Sequence, residues 1–139
     1  MNCAIRYYTR SKKGNTKKLA DYVSNYMELE ALDITNYLDK KVDTLFLINA
    51  MYAFDIDEEV KHFLENNKDN IGLLVNINSA ASGASTLKSV KKVADKLNIA
   101  VSEKEYHTVA SWIFINKGRP NEADFNRLGE FLKEFKETK

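Results

Sequence analysis

Two stretches of the chain, Thr44-Leu45-Phe46-Leu47-Ile48-Asn49 and Gly72-Leu73-Leu74-Val75-Asn76-Ile77, are almost unbroken in apolar residues and short for helices. A strand covered by helices on both faces reads this way, because neither side of its pleat meets water. Both are expected at the centre of a parallel sheet. Elsewhere the period changes to apolar residues three and four apart. Such stretches occur at 15–27 (Leu19, Ala20, Val23, Met27), 57–66 (Val60, Phe63, Leu64), 85–98 (Leu87, Val90, Ala94, Leu97) and 122–136 (Phe125, Leu128, Leu132, Phe135). Each is expected to be a helix with one face on the sheet. Further strands are expected at 3–8 and 30–34, with a last one inside 101–116. Strand and helix alternate, so the class is α/β: a three-layer sandwich with a five-stranded parallel sheet in the middle.

Local signals set some boundaries. Asn121 after Pro120, with Asp124 three residues on, reads as a helix N-cap with an acidic partner, and Asp55 or Asp57 can do the same for the 57–66 helix. Residues 35–43 are fewer than the dozen or so of an ordinary parallel crossover, so a single helical turn over 36–39 is expected there.

Composition excludes several classes. The 139 residues, 44% hydrophobic, suit one domain spanning 1–139. A net charge of +1 provides no field of one sign for nucleic acid or a membrane. No apolar run nears the roughly 20 residues of a membrane span, and no secretory leader is legible, so a cytoplasmic location is expected. Cys3 is the only cysteine, and His62 and His107 lie in no ligand spacing, so neither a metal site nor a catalytic cluster is expected.

Chemistry concentrates directly after the first strand, in Ser11-Lys12-Lys13-Gly14-Asn15-Thr16. A turn with hydroxyls and a glycine, running into a helix, is a ready anion site: the first amides of a helix lack intrahelical partners, and the helix dipole is positive there. Gly14 permits close backbone approach, Ser11 and Thr16 can donate hydroxyls, and Lys12 and Lys13 add charge that tightens anion binding in a salt-sensitive way. A plain polar turn ahead of a helix, with Lys17 and Lys18 on a solvated face, has the same composition. Gly14 is not followed by Lys-Ser or Lys-Thr, and the three-glycine dinucleotide fingerprint is lacking, so a monophosphate is the better match.

This run resembles the flavodoxin phosphate loop, (Ser/Thr)-x-Thr-Gly-x-Thr, with Lys13 in place of the middle Thr. Arg6-Tyr7-Tyr8 before it, Lys17-Lys18-Leu19-Ala20 after it, residues 45–52, and Lys117-Gly118-Arg119-Pro120-Asn121 extend the resemblance to small bacterial flavodoxin-like proteins over nearly the whole chain. The resemblance implies strand order 2-1-3-4-5. It also implies noncovalent FMN, with the phosphate on the first loop and the flavin between the loops after the third and fourth strands. Those loops carry Ala50, Met51, Tyr52, Ala53 and Phe54, then Ser79, Ala80, Ser82 and Gly83. Tyr52 or Phe54 would stack on the ring, unless Phe54 packs into the core. Ser79, Ser82 and nearby amides would meet the flavin carbonyl edge, unless they only cap the following helix. Flavodoxins often have glycine after the third strand; Ala50 and Ala53 are expected to resist positive φ.

Three functions follow from the resemblance. The first is an FMN-binding electron-transfer protein serving a redox partner protein, as monomer or homodimer. The second is an FMN-dependent NAD(P)H oxidoreductase reducing a quinone or flavin. The third is a flavodoxin-fold binding module without FMN. Because this chain is nearly neutral where carriers are usually acidic, docking to a basic reductase is expected to be weak or little affected by salt.

Overall fold

A computed structural model describes residues 2–10, 14–110 and 118–137. In chain order the elements are β1 (Cys3–Tyr7), α1 (Asn15–Met27), β2 (Ala31–Asp33), β3 (Val42–Ala50), α2 (Glu58–Asn67), a 3-10 turn (Lys68–Asn70), β4 (Ile71–Ala80), α3 (Leu87–Lys96), β5 (Ala100–Val101), β6 (Tyr106–Val109) and α4 (Glu122–Glu137). The strands form one parallel sheet of order β2-β1-β3-β4-β5, with β6 also paired to β4. This is the expected flavodoxin-like α/β arrangement.

The two apolar runs occupy the centre as expected, and successive side chains leave them in opposite directions. Leu45 and Leu47 of β3 and Leu74 of β4 pack under α2 and α3, against Val60, Phe63, Leu64, Val90 and Ala94. Phe46, Ile48, Val75 and Ile77 face the other way, against Leu19, Ala20 and Val23 of α1 and Leu128 and Leu132 of α4. Neither face is wet, which is why the runs show no polar alternation.

Two connections differ from expectation. Residues 36–39 form no helical turn. Instead Arg6, almost fully buried in β1, donates from Nε to the Asn36 carbonyl at 2.8 Å, while Leu38 is held by Asn67 Oδ1 on its amide (2.8 Å) and by Asn70 Nδ2 on its carbonyl (3.1 Å). Side chains thus satisfy the backbone that a helical turn would have satisfied, and the more extended chain spans the gap with fewer residues. The fifth lane of the sheet is also broken in two. Val101 lies opposite Leu74 and Tyr106 opposite Ile77, so five residue steps on this lane match three on β4 and the excess loops out. Residues 111–116 of the expected last strand lie outside the described residues.

Among the described residues no helix is long and apolar enough to cross a membrane, and no group of three or more His, Cys, Asp or Glu could hold a metal ion.

Candidate functional site

All strands are parallel, so the loops after β1, β3 and β4 leave the same edge of the sheet, where chain direction about β1 and β3 makes a switch point. α1 starts there. Its N-cap is Gly14 (φ −74°, ψ 172°), which has no side chain to turn back on the helix, and no acidic residue stands in the first turn. The first intrahelical bond runs from the Lys18 amide to the Gly14 carbonyl at 3.3 Å, so the Thr16 and Lys17 amides have no acceptor within the helix. The Thr16 hydroxyl is buried and lies 3.3 Å from the Ser79 hydroxyl at the end of β4. The start of α1 and the end of β4 therefore meet through two hydroxyls. Ser11, Lys12 and Lys13 lie outside the described residues.

The middle loop begins at Ala50, the last residue of β3, opposite Ser79. The Met51 amide donates to the Ser79 carbonyl at 3.1 Å. Tyr52 and Asp55 then exchange backbone hydrogen bonds of 2.7 and 3.0 Å, closing a two-residue turn with Ala53 at φ 50° and Phe54 at φ 66°. The expectation that Ala53 would avoid positive φ is therefore wrong. A two-residue hairpin of the primed kind requires positive φ at both central positions, and its stems are anchored strongly enough to impose it on alanine and phenylalanine. One anchor is Arg10. Its guanidinium lies 3.9 Å from the Tyr52 ring centroid, its amide donates to Tyr52 Oη at 3.2 Å, and its side chain pairs with Asp57 at 2.8 Å.

Of the two aromatic candidates, Tyr52 has one ring face covered by Arg10, while Phe54 stands 92% exposed at the turn tip. Phe54 does not pack into the core. Burial pushes the Asp57 carboxyl up, but hydrogen bonds from the Glu59 amide and from Arg10 outweigh it and hold the group below its ordinary value. Asp57 also caps α2 through the Glu59 amide at 2.9 Å, as expected.

In the third loop, β4 runs to Ala80, so Ser79 and Ala80 belong to the strand and not to the loop. Ala80 is buried, and its carbonyl accepts from the Gly83 and Ala110 amides, both at 3.0 Å. Ser82 is exposed and its hydroxyl accepts the Ala84 amide at 3.2 Å. Gly83 takes φ 79°, where its lack of Cβ is required, and its carbonyl lies 2.7 Å from His107 Nδ1. A carbonyl only accepts, so Nδ1 carries the proton. His107, set aside in the sequence, in fact braces this loop.

Sequence reasoning also passed over the buried polar group that fixes the loop. Thr86 Oγ1 donates to Asn49 Oδ1 (2.7 Å) and accepts from Asn76 Nδ2 (3.0 Å); Asn49 Nδ2 donates to Asn76 Oδ1 (2.8 Å). Asn78 holds the far end of the loop, donating from Nδ2 to the Ala84 carbonyl (2.9 Å) and accepting the Thr86 amide on Oδ1 (3.0 Å). No buried side-chain nitrogen or oxygen among the described residues lacks a partner. The available signal was asparagine inside otherwise apolar strands, where it must find a partner.

No protein-family model matches the chain, and no curated protein matches it in sequence. Solved structures do match. A flavodoxin from the domain Archaea aligns with TM-score 0.74 at 12% identity, over 99% of this chain and 98% of its own. Two-electron reduced Megasphaera elsdenii flavodoxin aligns with TM-score 0.64 at 17% identity, over 95% and 98%. An NAD(P)H:quinone oxidoreductase from Methanothermobacter marburgensis aligns with TM-score 0.55 at 10% identity, over 94% and 96%. Likeness at such low identity speaks to architecture, and together with the strand order and the carboxyl-edge loops it makes this chain a protein of the flavodoxin-like fold.

Proposed function

We propose that the chain binds FMN at the carboxyl edge of the sheet and acts as an electron-transfer protein toward a redox partner protein. The observation that carries this reading is the meeting of Thr16 and Ser79 hydroxyls beside a helix start whose N-cap, Gly14, makes no side-chain capping bond. The residues present fit a phosphate-headed planar ligand. The Thr16 and Ser79 hydroxyls meet at the start of α1, no carboxylate stands in its first turn to repel an anion, and an exposed aromatic side chain stands on the neighbouring loop.

In this reading Ser11, Lys12, Lys13, Gly14, Asn15 and Thr16 hold the phosphate. Met51, Tyr52, Ala53 and Phe54 flank the ring from one loop, and Ser79, Ala80, Ser82 and Gly83 from the other. FMN supplies the capacity to accept and release electrons. The chain's own part is to hold the head group, with each hydrogen bond to its charge contributing about 1.5–3 kcal/mol, and to cover part of the ring while leaving an edge open.

Titrating the protein into FMN and following flavin fluorescence tests the reading. Quenching with saturation is expected, and Thr16→Val or Gly14→Val is expected to raise the dissociation constant at least about tenfold, equivalent to about 1.4 kcal/mol. Unquenched fluorescence at high protein concentration sinks the proposal and leaves a binding module without flavin. The fold likeness to a quinone oxidoreductase supports a second reading, reduction of a quinone or flavin by NAD(P)H. Sustained NAD(P)H consumption by the FMN-loaded protein would favour it.

A further inference from the structure

A net charge of +1 conceals a local asymmetry. Lys88, Lys92 and Lys96 are spaced four apart on α3, so they form one stripe over about 12 Å of helix. With Lys61 of α2 they line an open groove of about 560 Å³ whose lip is Phe54. Lys61 is engaged by Asp55 (2.9 Å) and Glu58 (3.0 Å), and Lys91 turns away to Glu103 (2.6 Å). Lys88 and Lys92, like Lys96, make no ion pair among the described residues and are exposed. Like charges four apart on a helix repel one another, and Asp55, the one carboxylate that lines the groove with them among the described residues, is itself paired with Lys61.

We propose that this groove docks an acidic surface of a partner protein. The proposal rests on the electron-transfer reading for the partner's role, and it fixes the partner's sign as negative, opposite to the basic reductase a flavodoxin resemblance suggests. Charge complementarity carries it: three unneutralised lysines in a row match a cluster of Asp and Glu side chains. Phe54 belongs both to the groove and to the loop after β3, so a protein seated on the lysines with an apolar contact at Phe54 stands beside the candidate flavin edge. A nucleic acid fits less well, because tight phosphate-backbone binding draws on about 6–10 cationic contacts. The groove is also too open to enclose a small anion.

The test uses the purified protein with three probes: FMN, an oligo-glutamate peptide of about 20 residues, and a DNA duplex of about 20 base pairs. The peptide is expected to bind, and its affinity to fall at least about tenfold between roughly 50 and 200 mM salt. The triple variant Lys88→Glu, Lys92→Glu, Lys96→Glu is expected to lose at least about tenfold in peptide affinity with FMN binding unchanged. A control with the same charge change elsewhere, Lys40→Glu, Lys41→Glu, Lys133→Glu, is expected to keep it within about threefold. Equal loss in both variants, no loss in the first, or tighter binding of the duplex than of the peptide overturns the proposal. Peptide binding that depends on the α3 lysines in a protein indifferent to FMN sustains the docking surface and refutes the electron-transfer reading.

Discussion

Ala53 and Phe54 both hold left-handed backbone, a conformation that costs an L-residue about 1–2 kcal/mol. The stems on either side keep them there. Tyr52 and Asp55 share two backbone hydrogen bonds, Arg10 lies over the Tyr52 ring, and Asp55 accepts from the Ile56 amide (2.8 Å) and from Lys61 (2.9 Å). The Lys61 contact is the main reason that the Asp55 carboxyl lies below its ordinary value. Strain of this kind collects at functional loops, and here its product is an aromatic ring held in solvent. Ala53→Gly should relieve the strain without touching the stems, raising stability by about 0.5–1 kcal/mol in urea unfolding; a lowered midpoint would contradict the turn geometry. The turn was not legible beforehand, because Ala-Phe lacks the Asn-Gly or Asp-Gly signature by which such turns announce themselves. The position of Gly14 at the start of α1 was legible, since it stands between a strand and an amphipathic helix.

The start of α4 shows which parts of an element can be read locally. Asn121 Oδ1 accepts the Asp124 amide at 3.1 Å, and Asp124 Oδ2 accepts the Asn121 amide at 2.8 Å, the reciprocal cap that the three-residue spacing predicts. The spacing could not reveal that Asp124 is also fully buried, gripped by Arg119 through Nε (2.8 Å) and Nη2 (2.7 Å) and by Arg127. Nor could it reveal that the Asp124 carbonyl accepts the Tyr106 hydroxyl at 2.6 Å, tying α4 to β6. The Arg119 hydrogen bonds above all hold the Asp124 carboxyl far below the usual range. A carboxyl lowered by folding adds stability that is complete above its unfolded value, near 4, and fades as pH drops toward the folded one. Asp124→Asn should therefore cost about 1–3 kcal/mol at neutral pH, with the gap to the parent protein narrowing below about pH 4. A gap of equal size at pH 7 and pH 3 in urea titrations would mean that cap geometry, and not charge, is what Asp124 supplies. The beginning of α3 failed to show itself for a similar reason: Thr86 is claimed by Asn49 and Asn76 on two strands, so the helix opens at Leu87 and not at Ser85. The split between β5 and β6 likewise depends on β4 across the sheet.

At the scale of the molecule, the central place of β3 and β4 was readable because central strands are apolar on both faces, a property that each segment carries by itself, whereas the full order β2-β1-β3-β4-β5 followed only from the flavodoxin resemblance. The juxtaposition at the carboxyl edge was not readable, because Thr16 and Ser79 are 63 residues apart and meet only through the register of β1 on β3 and β3 on β4. That placement gives the flavin reading a global consequence. A ligand touching the loops after β1, β3 and β4 binds only when the sheet is assembled, so it stabilises the folded state by about 2.7 kcal/mol at one hundred times its dissociation constant. For a chain of this size FMN at that level should raise the unfolding temperature by about 8–15 °C. Riboflavin has the same ring but no phosphate, and at equal concentration should give a distinctly smaller rise, because the α1 start then has no anion to hold. Thr16→Val should shrink the FMN shift toward the riboflavin value while leaving the riboflavin shift nearly as it was. Equal shifts from the two ligands would locate binding in the aromatic loop alone and remove the role assigned to Gly14 and Thr16.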